Sequence, residues 1–301
     1  MTSLVLLLSL AYAADSTPPS AETLATVQSQ LDAILCRHNS LPEPPTVVLA
    51  GHHNDGKSAL LEALIGLRLC HVGASTSTRR PLRIHAHHDA DCDEPLIHLR
   101  RDGAATAGDP NLGERVTVAD VRAYVEAENA RLAAAGEVDD TEIRVDLRWR
   151  LAPNLVLVDT PGLLSLPAGS EIADAALART SEAAERVLLK QLASSPSRLC
   201  LCLEDTADWQ LSPTCAVVSR ADPQLSRTLL VATKLDGKLR QFSMAEDLHR
   251  LLNPPTVAAA HPKLLGGPIF TCVPPTRDQS PQALHEAVAR EEAAMRKLLV
   301  D

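Results

Sequence analysis

The stretch Gly51-His52-His53-Asn54-Asp55-Gly56-Lys57-Ser58 limits what this chain can fold into more than any other, because it matches G-x-x-x-x-G-K-[ST]. Such an octapeptide works only as the turn between a buried strand and a helix. Its glycines let backbone N–H groups curl round phosphate oxygens, its lysine reaches the terminal phosphates, and its hydroxyl takes Mg²⁺. Both flanks are present here. Thr46 to Ala50 is a short apolar, β-branched run that stops at Gly51, and Ser58 to Gly66 reads as a helix whose N-terminus faces an anion.

Three more segments follow in a fixed order: Thr78-Arg79-Arg80-Pro81-Leu82, Asp159-Thr160-Pro161-Gly162 and Thr233-Lys234-Leu235-Asp236. The last fits [NT]-K-x-D, in which a carboxylate accepts two hydrogen bonds from a guanine ring, bonds that adenine cannot supply, so the set predicts GTP as the nucleotide. Lys57 is expected to bridge the β- and γ-phosphates and Ser58 to ligate Mg²⁺, with the amides from His53 to Ser58 cradling the oxygens. Asp159 would hold Mg²⁺ through a water, and the N–H of Gly162 would sense the γ-phosphate. Thr78 would complete the Mg²⁺ shell while that phosphate is present, which makes it the switch. Thr233 opens the base loop, the stem of Lys234 would lie across the base, and Asp236 would read it.

Between the motifs, Leu82–His87, Leu155–Val158, Leu199–Leu203, Leu229–Ala232 and Ile269–Val273 read as strands, and Val118–Ala135 as a helix with Val118, Val121, Val125 and Leu132 on one side. Ile143, Val145, Leu147 and Trp149 alternate with charged residues, which predicts a half-exposed antiparallel edge strand. The prediction is α/β: a P-loop domain with a mostly parallel sheet, helices on both faces and an antiparallel edge strand. Asp102 to Glu114 reads as a loop. Helices are also expected from Ser20 to Arg37 and along Leu284, Val288, Met295 and Leu299.

A net charge of −9 argues against a nucleic-acid partner or a general anionic-membrane surface. Seven cysteines without a C-x-x-C pair signal neither a disulfide framework nor zinc, and Cys200 and Cys202 are expected on one face of a buried strand. His85, His87, His88, Asp89, Asp91 and Asp93 match no common metal-ligand spacing and read as a polar strand end, while Glu204, Asp205, Asp208 and Trp209 read as a solvated loop. Residues 1–20 form an apolar leader of open role. Its run from Leu4 to Ala13 resembles a secretory or plastid-directed signal, but no Lys or Arg precedes Arg37.

Thr78-Arg79-Arg80-Pro81-Leu82 resembles the switch I signature of the dynamin superfamily. Gly56 to Leu64, Tyr124 to Asn129, Leu201 to Asp205 and Asp222 to Asp236 resemble the plastid-division dynamin-related proteins of plants and algae. The likeness implies a dynamin-type GTPase domain over residues 21–301, with the stalk and effector segments outside the chain. It also implies GTP hydrolysis in organelle division, in the cytoplasm at the outer surface of a chloroplast, with an organelle membrane reached through partners. GTPase domains of this family pair across their nucleotide sites, so the implied partners are GTP or GDP and a second GTPase domain, either another copy or a full-length relative. In place of an arginine finger, a monovalent cation, K⁺ or Na⁺, is held by the phosphate loop and switch I. This chain carries His53 where the family has a water-placing glutamine and Asn54 where it has Ser or Thr. Pro274-Pro275-Thr276-Arg277 lacks the base-contacting asparagine of most dynamins. Those departures leave a second expectation: a GTP-binding switch or regulatory module with little hydrolysis that pairs with a full-length relative.

Overall fold

The structure, a computed structural model, describes residues 45–70, 78–101, 113–164, 175–205, 212–239 and 263–273, with 246, 283, 284, 286–290 and 293. The leader, the expected helix before residue 45, Asp208-Trp209 and Pro274–Arg277 lie outside these residues, as does most of the 102–114 loop. In chain order the strands are β1 (Thr46–Ala50), β2 (Leu82–His88), β3 (Leu96–Arg100), β4 (Glu114–Val116), β5 (Ile143–Trp149), β6 (Leu155–Asp159), β7 (Leu199–Glu204), β8 (Thr228–Ala232) and β9 (Gly266–Phe270). The helices are α1 (Lys57–Ile65), α2 (Val118–Ala135), α3 (Ala175–Ala193), α4 (Pro213–Val218) and α5 (Leu235–Leu239).

These strands make one sheet in the order β4-β3-β5-β2-β6-β1-β7-β8-β9. From β6 to β9 every pair is parallel. All five residues of β6 are buried, as a strand covered on both faces must be, and its composition is continuously apolar up to Asp159. On one face Leu60, Leu61 and Ile65 of α1 and Val121 and Val125 of α2 pack with Leu82, Ile84, Val145 and Leu147. On the other, Leu188 and Leu192 of α3 and Val218 of α4 pack with Val48, Val158, Cys200 and Cys202. The two cysteines therefore share a face, as the alternation predicts.

β5 is a correction. It lies inside the sheet, parallel to β2 and antiparallel to β3, and the edge is β4. Its alternation has a different cause: Ile143, Val145, Leu147 and Trp149 face the core, while Arg144 and Arg148 on the opposite face are exposed. β3 and β4 occupy segments where no strand is predicted. The last strand also begins earlier, at Gly266, and ends at Phe270. Thr271 is used differently, its N–H donating to Ala232 O (2.8 Å) and its carbonyl accepting from Leu235 N–H (3.2 Å).

Two turns set the frame of the site. α1 stops at Gly66, whose φ of 75° carries the chain out of the helix while its N–H bonds Glu62 O. α2 begins with a reciprocal box in which Thr117 and Asp120 satisfy one another's backbone N–H groups, which fixes its first turn. β2 runs antiparallel to β6 with Leu82 opposite Asp159. The chain arriving at β2 is thereby delivered to the edge where β6 ends, next to the phosphate loop that follows β1.

Candidate functional site

The loop after β1 is built by backbone geometry. Asn54 and Gly56 both take left-handed conformations (φ 71° and 83°), so successive N–H groups curve toward one point. Asp55, nearly buried, accepts the His52 N–H at 2.7 Å and closes the curve from inside. Lys57 opens α1, and its Nζ donates to Gly51 O (3.0 Å) and His52 O (2.7 Å), so the ammonium lies beneath the loop. Burial pushes its pKa down, opposed by the charges of Asp159 and Asp55. One amide departs from expectation. The His53 N–H donates to Leu163 O at 2.9 Å, and Leu163 N–H donates to Gly51 O at 3.0 Å. That double latch ties the loop to the segment after Gly162 and takes the His53 amide out of the phosphate cradle.

Gly162 sits directly against the latch. A β-carbon there would meet His53 Cα and N at 3.1 Å and Lys57 Nζ at 3.2 Å. Thr160 is tied down from the other side by a 2.6 Å hydrogen bond to Leu49 O.

Three oxygen-bearing side chains from three parts of the sequence converge beside Lys57. The Ser58 hydroxyl donates to Asp159 Oδ2 at 2.7 Å, Thr78 donates to the same oxygen at 3.3 Å, and the two hydroxyls are 3.4 Å apart. Asp159 is 1% exposed, and its Oδ1 is buried without a hydrogen-bond partner. A buried carboxylate oxygen is costly to leave unpaired. An all-oxygen set with one orphaned lone pair is the chemistry that a hard divalent cation and its waters satisfy, so these residues fit Mg²⁺. Burial raises the Asp159 pKa, with Lys57 and the two hydroxyls pulling it back.

Thr233 begins the loop after β8, and its N–H donates to Glu204 O at 3.0 Å. A β-carbon on Gly56 would lie 4.0 Å from the Thr233 Cβ, so the phosphate and base loops are neighbours. Lys234 takes a φ of 54°, and its Nζ pairs with Asp205 at 2.7 Å. The nearly buried Lys238 donates to Thr233 O at 2.8 Å and approaches Asp205 at 3.4 Å. Asp236 is partly buried in the first turn of α5. Every residue predicted for the site is described, and all fall along the edge where β1, β6 and β8 end.

Glu204 is another correction. It is 3% exposed rather than solvated, and its carboxylate accepts from the Ser212 hydroxyl and from Thr214 N–H. Asp205 is exposed, as expected, and pairs with Lys234 and Lys238. On β2, His85 Nδ1 lies 3.4 Å from Asp146 and its ring centroid 4.0 Å from that of His87.

A cavity of about 200 Å³ opens beside the latch, lined by His53, Thr78, Arg79, Gly162, Leu177 and Thr180, among others. The half-buried imidazole of His53 is held below the usual histidine range by burial, with Lys57 and Arg79 adding to it and Asp55 opposing. Those surroundings favour the neutral ring.

The model of the dynamin family matches residues 47–235, a span that contains the first three motifs and runs into the fourth, ending one residue before Asp236. The chain belongs to that family, and its fold is that of a dynamin-type GTPase domain. It is 39% identical to Dynamin-like protein ARC5 of Arabidopsis thaliana over 78% of its own length and 30% of that protein's. Dynamin-related protein 5A of the same plant is 30% identical (69% of this chain, 25% of the relative), and Dynamin-1-like protein of Mus musculus is 28% identical (64% and 26%). The chain thus spans less than a third of the length of each.

Proposed function

We propose that this domain binds GTP and hydrolyses it with Mg²⁺ by in-line attack of water on the γ-phosphate. The observation that carries the reading is the convergence of Ser58, Thr78 and Asp159 beside the buried Lys57. Ser58 and Thr78 would hold Mg²⁺ directly and Asp159 through a water. Bound there, the cation would neutralise charge on the phosphate oxygens. Lys57 would swing from the loop carbonyls to the β- and γ-phosphates, and the Gly162 N–H would meet the γ-phosphate. The amides of Asn54, Asp55, Gly56, Lys57 and Ser58 would face the phosphates above Gly51, with Asp236 accepting from guanine and Lys234 lying along it. His53 faces the cavity on the γ-phosphate side, and as a neutral imidazole it can accept a hydrogen bond from the attacking water. Catalysis of this kind is positioning and charge neutralisation rather than covalent chemistry.

The amide oxygen of the exposed Asn54 is a hard-cation donor where relatives carry a hydroxyl, which supports testing K⁺ or Na⁺ as a further cofactor. Pairing with a second GTPase domain, and work in organelle division at the chloroplast outer surface, complete the reading. They rest on the family resemblance. A second reading, a GTP-binding regulatory module with little turnover, is favoured by His53, whose ring accepts in only one tautomer.

Phosphate release from GTP, measured with Mg²⁺ and with or without K⁺, separates the two. Tight GTP binding with no release above the buffer blank would support the regulatory module. Lys57→Ala should weaken GTP binding by roughly 100-fold or more, and Asp236→Asn should cost about 10- to 100-fold in GTP affinity, the range for lost hydrogen bonds to charged groups. Full GTP affinity in both variants refutes the site.

A further inference from the structure

Switch I leaves Thr78 through three residues that are fastened one after another. Arg79 N–H donates to Asn129 Oδ1 at 2.8 Å, Arg79 O accepts from Asp139 N–H at 3.0 Å, and its guanidinium reaches Glu137 O at 3.1 Å. Arg80 is 2% exposed, the largest of the fully buried side chains among the described residues. Its Nε donates to Thr141 O at 2.8 Å and its Nη1 to Glu128 at 3.2 Å, with Asp139 at 3.9 Å. Pro81 O then accepts from Ile143 N–H at 2.8 Å, the first rung onto β5.

Asn129 and Glu128 both belong to α2, which is rigid for reasons of its own: a capped first turn, Val121 and Val125 packed on the sheet, and Leu132 buried. The strap from Gly136 to Glu142 is held on its far side by α3, through Thr180 to Gly136 O (3.2 Å), Lys190 to Asp140 (2.5 Å) and Gln191 to Glu142 (3.2 Å). Switch I is therefore seated on a clamped platform rather than on a free loop. The residue just before this anchorage is Thr78, whose hydroxyl lies 3.3 Å from Asp159.

We infer that Asn129, Glu128 and Arg80 are positioning residues that set the placement of the Thr78 hydroxyl at the Mg²⁺ site, and so control turnover without touching nucleotide. The inference rests on the proposed reading of Ser58, Thr78 and Asp159. A catalytic oxygen held by one short backbone path moves with whatever fixes that path, and misplacement of a first-contact group is expensive in rate. Glu128 stays ionised as the anchor for Arg80, because Arg131 and Arg80 hold its carboxyl below the usual range against its partial burial. GDP has no γ-phosphate for switch I to engage, so its binding is expected to be indifferent to the anchor.

Arg80 is too deeply buried to be a clean probe, since removing it would leave a void at a 2% exposed position and take the donor from Thr141 O. Asn129→Ala is cleaner, because Asn129 is half-buried on a helix that tolerates alanine. Steady-state GTP turnover, the Mg²⁺ concentration for half-maximal rate, fluorescent GDP affinity and melting temperature are measured for the parent, Asn129→Ala and Asn129→Asp. The alanine variant should lose about tenfold in kcat, the scale of one lost hydrogen bond in the transition state, and need more Mg²⁺. GDP affinity should stay within about twofold, and Asn129→Asp, which keeps the acceptor, should recover most of the rate. Parental kcat and Mg²⁺ requirement in Asn129→Ala overturn the inference, as does a parallel fall in GDP affinity, which would mark a merely structural role. A parent chain that binds neither GDP nor GTP instead refutes the nucleotide site itself, and the anchor with it.

Discussion

Adding one methyl group at Gly162 tests the latch between the phosphate loop and the segment after β6. In Gly162→Ala the new carbon would stand 3.1 Å from His53 Cα and 3.1 Å from His53 N, where carbon atoms in contact normally sit about 3.5–4.0 Å apart. The ammonium of Lys57, at 3.2 Å, is the end of a flexible chain and can step aside. His53 cannot yield so cheaply, because its N–H is held by Leu163 O at 2.9 Å and Leu163 is in turn held by Gly51 O at 3.0 Å. Relief of roughly half an ångström must come from parting the loop and the Gly162 backbone, which stretches both latch bonds. Overpacking of this kind costs ~1–3 kcal/mol, which for a chain of this size is a few degrees of melting temperature per kcal/mol. The larger effect falls on chemistry. The Gly162 N–H and the His53 ring both move relative to the γ-phosphate, and displacements well short of an ångström at such groups cost roughly 10- to 100-fold in kcat. GDP affinity should change by less than about threefold, since Ser58 and the α1 N-terminus are untouched. The assay is phosphate release at saturating GTP beside fluorescent GDP binding and a thermal melt. An alanine variant with parental kcat would refute the claim that this close approach is a working part of the site.

Two further outcomes follow from buried titratable groups. Burial pushes the carboxyl of Glu62, 1% exposed, up to about 7, against the Cys70 N–H and Arg68 that favour its charge. The folded state therefore favours the proton, so this contribution is complete below about pH 4 and is lost as pH rises through 7, by ~3 kcal/mol in all. Denaturant melts of the parent and Glu62→Gln between pH 5 and 8 should differ in slope, and equal slopes would contradict the assignment. Of Cys70, Cys200, Cys202 and Cys215, the half-exposed Cys215 should react first with a thiol reagent. A hydrogen bond from Cys202 lowers its pKa, whereas Cys200, Cys202 and Cys70 are buried and pushed up. Labelling of Cys200 ahead of Cys215, read by peptide mass spectrometry, would be the contrary result.

Much of the architecture around the candidate site was legible in the amino-acid sequence, because its parts are local. A strand, a glycine-containing loop and a helix that begins with Lys57-Ser58 can be read from one stretch of about twenty residues, since the phosphate cradle is backbone geometry that Asn54 and Gly56 impose in place. The helix from Val118 to Ala135 was equally plain, from the spacing of Val118, Val121, Val125 and Leu132 along one side. Glu204 was misjudged for the opposite reason: a charged residue at a strand end looks solvated until Ser212 and Thr214 fold over it. The position of β5 was misjudged too, since alternation reports a face exposed to water and says nothing about neighbours on either side.

By itself the sequence determined a P-loop domain, with an [NT]-K-x-D segment after a later strand, and a family likeness that the match over residues 47–235 bears out. It could do so because each motif is a short-range contract between residue type and backbone turn. Only the tertiary structure decided that β2 runs antiparallel to β6, which sets Thr78 beside Asp159, and that α2 and α3 grip the chain on the far side of that threonine. Those arrangements join residues fifty to a hundred positions apart. Their energies depend on which strands become neighbours, and no local window of the chain contains that information.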